Sequence, residues 1–587
     1  MNMQPILYRL TPFDPSGHRL RVHMTLARPN PDGQSFSLPA WIPGSYLIRD
    51  FSRHILSLKA FNDEQDIKVE KLDSHTWRCA PCTGPLHLEY TVYAWDLSVR
   101  GAHFDDSHAF FNGTSVFLQA HGHENTACLL ELQPPPGIKN WTAHTSMPHA
   151  PEHAMPTDGF GWYTAPDYDA FIDHPFEIGT PTSIAFTVHG AEHEMVFTGV
   201  IPNLDLERIA RDTRKICAAQ MALFEPESTQ AAPFLDSASR YVFMTMVTED
   251  GYGGLEHRAS TALMTSRRSL PTLGQTETTP EYQEFLGLVS HEYFHTWHVK
   301  RIKPAVFAPY DLARENHTRL LWVFEGFTAY YDDLMLLRAG LISEETYLKT
   351  LARTISNVHT GAGRLKQSVA ESSFDAWTRF YKQDENAANA IVSYYTKGSL
   401  VALSLDLLIR QQTQGKRSLD DVMRLLWQRF GKDFYRGHPQ GVPEAAMPEL
   451  IEQATGVDTS DFLERYAYGC EDLPLAELLA TQGITLSWKA GQTAPTLDAR
   501  LRTQHGQTTL ASVAEGGAAH KAGLSAGDNL VALDGLRITT EDSLKRLLSA
   551  YQPGDALTVH AFRRDELRQF TVTLSAPASK ECSLSRG

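Results

Sequence analysis

Apolar and polar residues alternate along much of the first 185 residues, which is the pattern of half-buried β-strands. An Asn112-Gly113 pair has the composition of a tight turn between such strands. No long amphipathic helical pattern competes in this part of the sequence. The alternation is clearest at residues 20–26, 86–93 and 184–188. The pattern predicts an N-terminal β-sandwich-like domain over residues 1–185.

From about residue 200 the apolar spacing changes to the period of helices. Residues 204–224 predict a helix, residues 241–247 form an apolar run typical of a strand, and residues 318–480 have a helical pattern throughout. Thr279 and Pro280 are suited to the N-cap and first position of another helix, and Glu281 suits its first turn. Apolar residues lie on most sides of this helix, so we expect it to be buried.

After about residue 480 the sequence becomes β-rich again, and residues 513–535 closely resemble a PDZ domain. Residues 540–550 would form its helix, and residues 557–574 its last strands. PDZ domains bind an extended C-terminus by strand addition. The best match to their carboxylate-binding loop contains Asp498 where glycine is usual, and an acid there opposes a bound carboxylate. This argues against recognition of a free C-terminus. Binding of another kind of peptide ligand by the PDZ-like domain is still possible.

Composition excludes several classes of function. The chain has 587 residues, which is enough for three or four domains, and its 42% hydrophobic content is that of a globular protein. A net charge of −16 argues against a nucleic-acid-binding surface. No apolar run is long enough to span a membrane, so we expect no membrane association. The first residues lack the features of a secretory signal, which favours a cytoplasmic protein, although a signal removed from the chain is not excluded.

The six cysteines are scattered and do not form a disulfide framework. Cys79 and Cys82 have C-x-x-C spacing, but a single such pair is weak evidence for a metal site.

The most specific chemistry in the sequence is carried by the stretch that begins at His291. On a helix, His291 and His295 project from the same face, where both imidazoles can hold one Zn²⁺. Glu292 can reach a zinc-bound water, and H-E-x-x-H with Glu as general base is the pattern of zinc peptidases. The alternative is a core helix with two ordinary histidines.

A third zinc ligand is expected in residues 321–331, whose composition suggests a second, largely buried helix that carries one acidic residue, Glu325. A buried carboxylate is costly unless it is paired or bound to a metal. Catalytic zinc usually takes three protein ligands and keeps one position open for water. Glu325 is therefore the natural third ligand, and a salt-bridged helix carboxylate is the alternative.

The combination H-E-x-x-H with W-x-x-E-G, the latter at residues 322–326, resembles the gluzincin aminopeptidases. Residues 291–304 most resemble the glycyl aminopeptidase family, peptidase family M61. Segments that also fit this family lie at residues 41–50, 173–179 and 253–257, and a C-terminal PDZ-like segment is typical of it. One departure is His298, where the family has Asn; we expect it to face away from the zinc ligands.

The resemblance implies a multidomain α+β protein. A thermolysin-like, mostly helical catalytic domain would occupy residues 186–481, with the β-domain before it and the PDZ-like domain over residues 482–587. One Zn²⁺ per chain would be held by His291, His295 and Glu325.

The resemblance also assigns further site residues. Tyr395, in the family's Tyr-x-Lys-Gly motif, would donate to the oxyanion of the tetrahedral intermediate, with the adjacent Tyr394 as a competing candidate. Gly253 and Gly254 would lie on an edge strand that pairs with substrate. Glu256 would receive the free amino group of the substrate; the alternative is a turn carboxylate. The Asn that usually follows is His257 here. Arg49, in an aromatic loop, could touch substrate or seal a domain interface, and we favour the interface.

Together these residues predict a zinc aminopeptidase that acts on peptides with a free N-terminus, and the resemblance adds a preference for Gly or Ala. Two alternatives remain at this stage. One is an endopeptidase on the same site, because zinc ligands alone do not choose the end of a peptide over its middle. The other is a PDZ adaptor with a vestigial peptidase domain, against which the intact Glu292 argues.

Overall fold

The computed structural model describes residues 4–154, 158–228, 232–490, 494–576 and 580–586. The chain divides into two compact units. The first consists of residues 1–316, 331–342 and 420–446, and the second of residues 317–330, 343–419 and 447–587. The predicted multidomain class is confirmed, with a β-rich N-terminal part, a helical middle and a C-terminal PDZ fold. Among the described residues, no helix is both long and apolar enough to cross a membrane.

The N-terminal part is built from strands whose alternate residues are buried, as the sequence pattern predicts. In the second strand Leu20, Val22 and Met24 are buried while their neighbours are partly exposed. The elements are β1 (Ile6–Asp14), β2 (Arg19–Leu26), β3 (Ser35–Ser37), β4 (Ile55–Phe61), β5 (Asp66–Ile67), β6 (Val69–Lys71), β7 (Thr76–Cys79), β8 (Leu86–Tyr93), β9 (Ala102–Phe104), β10 (His108–Phe111), β11 (Gln119–Ala120), β12 (Cys128–Leu132), β13 (Thr142–His144), β14 (Gly161–Ala165), α1 (Tyr168–Ile172) and β15 (Phe176–Gly179).

These strands form sheets with the orders β14-β12-β1-β2-β8-β4-β5, β13-β15-β10-β9 and β11-β3-β7-β6. One continuous apolar core joins them, to which Tyr8, Phe111 and Phe117 contribute buried aromatic rings. Tyr8 also satisfies its hydroxyl by donating to the carbonyl oxygen of Leu118, at 2.8 Å.

A mixed sheet with helices follows in the first unit. Its elements are β16 (Thr182–Val188), β17 (Ala191–Thr198), α2 (Leu206–Phe224), β18 (Arg240–Thr248), β19 (Gly253–Glu256), β20 (Ser260–Ser266) and α3 (Pro280–Phe294). The strand order is β16-β17-β18-β20-β19, so β19 is an edge strand, and it runs antiparallel to β20. The predicted apolar strand at 241–247 is β18, which pairs with a parallel neighbour on each side, as a strand buried on both faces should.

The region after residue 318 is helical, as predicted, although the single helix expected over residues 321–331 is divided at Glu325. Ser343 caps its helix by accepting from the backbone N–H of Thr346 at 3.2 Å. The helices are α4 (Leu321–Phe324), α5 (Gly326–Arg338), α6 (Glu344–Thr360), α7 (Val369–Phe374), α8 (Ala387–Ala390), α9 (Thr396–Gln412), α10 (Leu419–Leu426), α11 (Met447–Thr455), α12 (Ser460–Tyr466) and α13 (Leu475–Ala480).

The C-terminal part of the second unit contains β21 (Ile484–Ala490), β22 (Ala499–Gln504), β23 (Gln507–Val513), α14 (Ala518–Lys521), β24 (Asn529–Leu533), β25 (Leu536–Arg537), α15 (Glu541–Leu548), β26 (Ala556–Arg563), β27 (Glu566–Thr573) and β28 (Lys580–Arg586). The PDZ sheet has the order β22-β23-β24-β26-β27, with β25 on β24. Leu510, Leu530 and Val559 lie in its own apolar core. The predicted helix at residues 540–550 is α15.

The PDZ fold is inserted between the two strands of a separate ribbon, in which β21 pairs antiparallel with β28. The ribbon contacts α6: the N–H of Cys582 donates to Ser356 Oγ at 2.8 Å, and the rings of Trp488 and His359 lie 4.4 Å apart. A second attachment joins the PDZ fold to the helices, because Asn389 Nδ2 donates to the Val513 carbonyl oxygen at 2.9 Å. The sequence patterns did not predict this ribbon.

Candidate active site

Helix α3 begins as its sequence predicts. Thr279 Oγ1 accepts from the N–H of Tyr282 at 3.1 Å, and Pro280 occupies the first helical position. The helix ends at Phe294 with His295 as its C-cap, and the N–H of His295 still donates to the carbonyl oxygen of His291. His291 and His295 are therefore one turn apart on one face, with ring centroids 4.7 Å apart and ring planes at 86°.

Both histidines have Nδ1 held by an oxygen acceptor. Nδ1 of His291 lies 3.1 Å from Asp332 Oδ2, and Nδ1 of His295 lies 2.7 Å from the carbonyl oxygen of His298. A carbonyl oxygen only accepts, so the proton of His295 is on Nδ1 and the lone pair is on Nε2. This arrangement, with an oxygen behind each imidazole, is typical of histidines that bind a metal through Nε2. The donor chemistry of this pair fits a zinc ion.

Asp332 is a site residue that the sequence reasoning missed. It lies on α5. The same residue makes a second contact with α3, because Ser290 Oγ donates to the Asp332 carbonyl oxygen at 2.8 Å. The N–H of Asp333 donates to Asp332 Oδ1 at 2.6 Å, so one carboxylate oxygen is fixed while the other faces His291. The argument that singled out Glu325, a carboxylate on an apolar helix, applies equally to Asp332.

Glu292 is buried, with 5% of its surface exposed, and it faces the edge strand β19. A Cβ atom placed on Gly254 would overlap with the Glu292 carboxylate. Residue 254 therefore has to be glycine for strand and carboxylate to lie this close. The close approach seen here is that of Glu292, and the approach of substrate backbone to Gly253 and Gly254 stays a prediction.

Glu256 lies beside the proposed general base. One donor atom from each of Glu256, Glu292 and His295 lies within 4.8 Å of the others. Glu256 is 4% exposed, and among the described residues its Oε1 has no hydrogen-bond partner. An unsatisfied buried carboxylate oxygen is costly, so this position is prepared for a cationic or donor group of a ligand.

The aromatic loop at residues 41–49 reaches this carboxylate. Gly44 has φ +93°, and a Cβ placed on it would lie 2.5 Å from Glu256 Oε2, so the loop backbone packs directly on Glu256. Trp41 Nε1 donates to the Asp311 carbonyl oxygen at 2.8 Å, and Arg49 Nη2 donates to Ser45 Oγ at 2.6 Å. Trp41 thus ties the loop to the segment at residue 311, whereas the Arg49 contact lies within the loop, and the interface role of Arg49 stays a prediction. Gly44 as a neighbour of Glu256 was not anticipated from the sequence.

His257 faces away from Glu256 into a buried ionic network. Its Nδ1 lies 2.9 Å from Asp173 Oδ1, and Asp173 also accepts from Lys300 Nζ at 3.0 Å and Arg258 Nε at 3.1 Å. Burial alone would raise the pKa of Asp173, but the charge of Lys300 and the hydrogen bond from His257 hold it well below its usual range. Asp173 is therefore ionised, and His257 belongs to this network.

In the second unit, Glu325 is 2% exposed and lies where α4 gives way to α5. The next residue, Gly326, packs against Gly398 of α9: a Cβ on Gly326 would lie 2.7 Å from the Gly398 backbone. The Trp-x-x-Glu-Gly and Tyr-x-Lys-Gly motifs therefore meet through their glycines.

The two candidate tyrosines differ in accessibility. Tyr394 is fully buried, and burial, followed by the nearby Tyr381 and Glu325, raises its pKa well above the usual range. Tyr395 is partly exposed at the N-cap of α9, with its hydroxyl 3.5 Å from that of Tyr381. Tyr395 is thus the more accessible residue of the two, and its role as oxyanion donor stays a prediction.

In the PDZ fold, Asp498 has φ +55°, the left-handed conformation that favours glycine. Its Oδ2 accepts from the N–H of Ala518 at 2.9 Å. The carboxylate thus provides a hydrogen-bond acceptor for a backbone N–H group at the start of α14. The backbone geometry matches the expectation that a glycine is usual at this position.

Comparison with known proteins extends these observations. The family model described as the Peptidase M61 N-terminal domain matches residues 7–180. The model for M61 glycyl aminopeptidase matches residues 284–401, and that for the PDZ domain residues 495–574. No curated protein matches the chain significantly.

Solved structures are also similar. The crystal structure of an aminopeptidase N family protein from Idiomarina loihiensis is 42% identical, covers 99% of this chain and 98% of its own, and superposes with a TM-score of 0.93. An M1 zinc metallopeptidase from Deinococcus radiodurans is 14% identical, with 81% of this chain and 95% of that chain covered and a TM-score of 0.48.

Proposed function

Since this chain belongs to the M61 glycyl aminopeptidase family and is a peptidase, we propose that it is a zinc aminopeptidase that removes N-terminal residues from peptides. The observation that carries the proposal is the buried Glu256, whose Oε1 has no hydrogen-bond partner among the described residues and which lies within 4.8 Å of Glu292 and His295 donor atoms. A carboxylate in that position suits the ammonium group of a free N-terminus.

We assign one zinc ion per chain to His291, His295 and Glu325. The oxygen acceptors behind the two imidazoles support the first two ligands. For Glu325 the support is its position directly before α5, where its carbonyl oxygen accepts from the N–H of Ala329 at 2.8 Å, so helical spacing extends back to it. Asp332, which hydrogen-bonds His291, follows Glu325 by seven residues, and residues seven apart lie on the same face of a helix. When bound, zinc supplies a Lewis acid that polarises the scissile carbonyl and acidifies a water molecule.

The side chains then have separate roles. Glu292 accepts a proton from the attacking water and delivers it to the leaving nitrogen, which is general base followed by general acid catalysis. Its burial against Gly254 holds the carboxylate still and keeps bulk water away from it. Tyr395 donates its hydroxyl proton in a hydrogen bond to the developing oxyanion. Substrate backbone extends along β19, whose outer edge is unpaired in its sheet within the described residues.

The position of Gly44 favours an exopeptidase over an endopeptidase. The backbone of the 41–49 loop packs on Glu256, so the space beyond the carboxylate is filled by the protein itself. A substrate with further residues before the amine would have to displace this loop. The preference for Gly or Ala at the N-terminus rests on the description of the matching family as glycyl aminopeptidases.

Zinc content and substrate choice test the proposal together. We expect purified protein to carry zinc and to hydrolyse Gly- and Ala-arylamides, while N-acetylated Gly-arylamide and internally cleavable, N-blocked peptides are poor substrates. Efficient cleavage of blocked peptides would instead establish an endopeptidase. Protein that binds zinc but cleaves neither class would support a binding role for this domain.

A further inference from the structure

A second group of metal-binding side chains lies on the β9–β10 hairpin, outside the site described above. His103 is on β9, His108 starts β10 and Asp105 lies in the turn between them. Residues 103 and 105 share a face of the hairpin because side chains alternate along a strand. Across the hairpin, the backbone N–H of Asp105 donates to the carbonyl oxygen of His108. One donor atom from each of these residues lies within 4.8 Å of the others. We call these residues the hairpin cluster.

The distance between the first two donors is close to that of ligands on one metal ion. His103 Nε2 lies 3.1 Å from Asp105 Oδ2. Two ligands bound tetrahedrally at zinc distances are about 3.3 Å apart. The other oxygen of Asp105, Oδ1, accepts from the N–H of Ser107 at 2.7 Å and of His108 at 3.1 Å. The turn thus holds one carboxylate oxygen and presents the other to His103.

His108 is oriented from behind by a buried carboxylate. Its Nδ1 lies 3.1 Å from Oε1 of Glu177 on the neighbouring strand β15, and both side chains are at most 6% exposed. A carboxylate on one ring nitrogen leaves Nε2 for a ligand and raises its basicity, as in carboxylate–histidine–zinc arrangements. Glu177 also gives a reason for an acid in the 173–179 segment, which the proposed peptidase chemistry does not use.

His103 is 4% exposed, and its ring stacks on those of Trp95 and His108, with centroids 4.8 and 4.9 Å apart. This packing holds the imidazole in place with Nε2 directed at Asp105. Among the described residues, Nδ1 has no hydrogen-bond partner. All the residues of the hairpin cluster also border a cavity of 550 Å³. The cavity leaves room for a water molecule, which three protein ligands to zinc would require as the fourth.

We propose that the hairpin cluster is a second site for a divalent transition metal, with Zn²⁺ as its ion. His103, Asp105 and His108 are the ligands, and Glu177 positions His108. Imidazole nitrogens with one carboxylate oxygen suit Zn²⁺ and other divalent transition-metal ions, whereas Mg²⁺ and Ca²⁺ prefer oxygen ligands alone. The proposal does not depend on peptidase activity.

The test counts bound zinc in the full chain. Chelator-treated protein is titrated with ZnCl₂ by calorimetry, and zinc is then measured by mass spectrometry after desalting. We expect two ions in the wild type, one in His291→Ala and one in Asp105→Asn. His23→Ala removes a partly exposed histidine of the same β-domain, whose Nε2 lies 3.4 Å from Glu89 Oε2, so this control should retain two.

The His291→Ala background separates this proposal from the peptidase assignment, because any ion left there reports on the hairpin cluster alone. Adding Asp105→Asn to it should abolish binding, and adding Glu177→Gln should weaken it by about 10- to 100-fold. Asp105 is a quarter exposed, and Asn preserves its turn contacts, so this variant should fold even if His103→Ala does not. Zinc counts that are the same in the Asp105→Asn and His23→Ala variants would overturn the proposal, as would a His291→Ala protein that binds no zinc.

Discussion

In the proposed function, recognition of the substrate amine depends on the negative charge of Glu256, and Glu256→Gln removes that charge while keeping the shape of the side chain. Glu256 is 4% exposed, and Gly44 packs against its Oε2. Because the pocket is closed on this side, water cannot replace the lost interaction with the ammonium group. The glutamine amide also presents two N–H donors, one of which would face the substrate cation.

The size of the effect follows from the kind of contact that is lost. A hydrogen bond to a charged group contributes about 1.5–3 kcal/mol. Since about 1.4 kcal/mol corresponds to a factor of ten, kcat/KM for a free-amine substrate should fall by about 12- to 150-fold. A substrate whose amine is acetylated makes no ion pair with Glu256, so its already low kcat/KM should change by about threefold or less, within the spread of a neutral hydrogen bond.

The assay measures kcat/KM for Gly-arylamide and N-acetyl-Gly-arylamide on the wild type, Glu256→Gln and Glu249→Gln. Glu249 is an exposed acid shortly before the same strand, so its variant controls for a general change of charge near the site. Zinc content has to match in all proteins. If kcat/KM of Glu256→Gln fell by the same factor for both substrates, the carboxylate would not be recognising the amine. An endopeptidase would then become the better proposal.

Further predictions concern the metal and the chain around it. Glu292→Gln should retain zinc while kcat falls by about 10²- to 10⁴-fold; near-normal turnover in the zinc-loaded variant would contradict its role as base. Glu325→Ala should lose zinc on dialysis, and one tightly held ion per chain would place the third ligand elsewhere. Asp332→Asn should weaken zinc binding by about 10- to 100-fold in a chelator competition, whereas unchanged affinity would make Asp332 structural only. Replacing residues 494–576 by a short Gly-Ser linker should leave Gly-arylamide hydrolysis largely intact, and a folded, zinc-loaded but inactive protein would show that the PDZ fold helps to build the site.

Local rules predicted helix α3, which carries the proposed zinc ligands, in detail. Its N-cap, its proline at the first position and the shared face of His291 and His295 all follow from residues within one stretch of chain. The alternation of buried residues in β2 likewise followed from the period of the sequence pattern. The edge strand at Gly253 and Gly254 was implied by the family resemblance.

What could not be predicted are contacts between segments far apart in the sequence. Asp332 is recognised as a positioning residue only when its oxygen is seen 3.1 Å from His291. Gly44 becomes part of the amine pocket only because the 41–49 loop folds onto Glu256. The β21–β28 ribbon joins the two ends of the PDZ insertion, and neither strand has a partner nearby in the sequence. Periodicity carries no information on such pairings.

The motif glycines show how a sequence signature can be explained by one contact. Gly326 and Gly398 are the last residues of their motifs, and a side chain on either would collide with the backbone of the other. Each glycine is preceded by a residue with a proposed role, Glu325 directly and Tyr395 by three positions. Within the second unit, the close backbone contact therefore fixes the spacing between the start of the helix that follows Glu325 and the helix that Tyr395 caps. The proposed metal ligand and the proposed oxyanion donor are thus held by one close packing contact, and such preorganisation is what electrostatic catalysis requires.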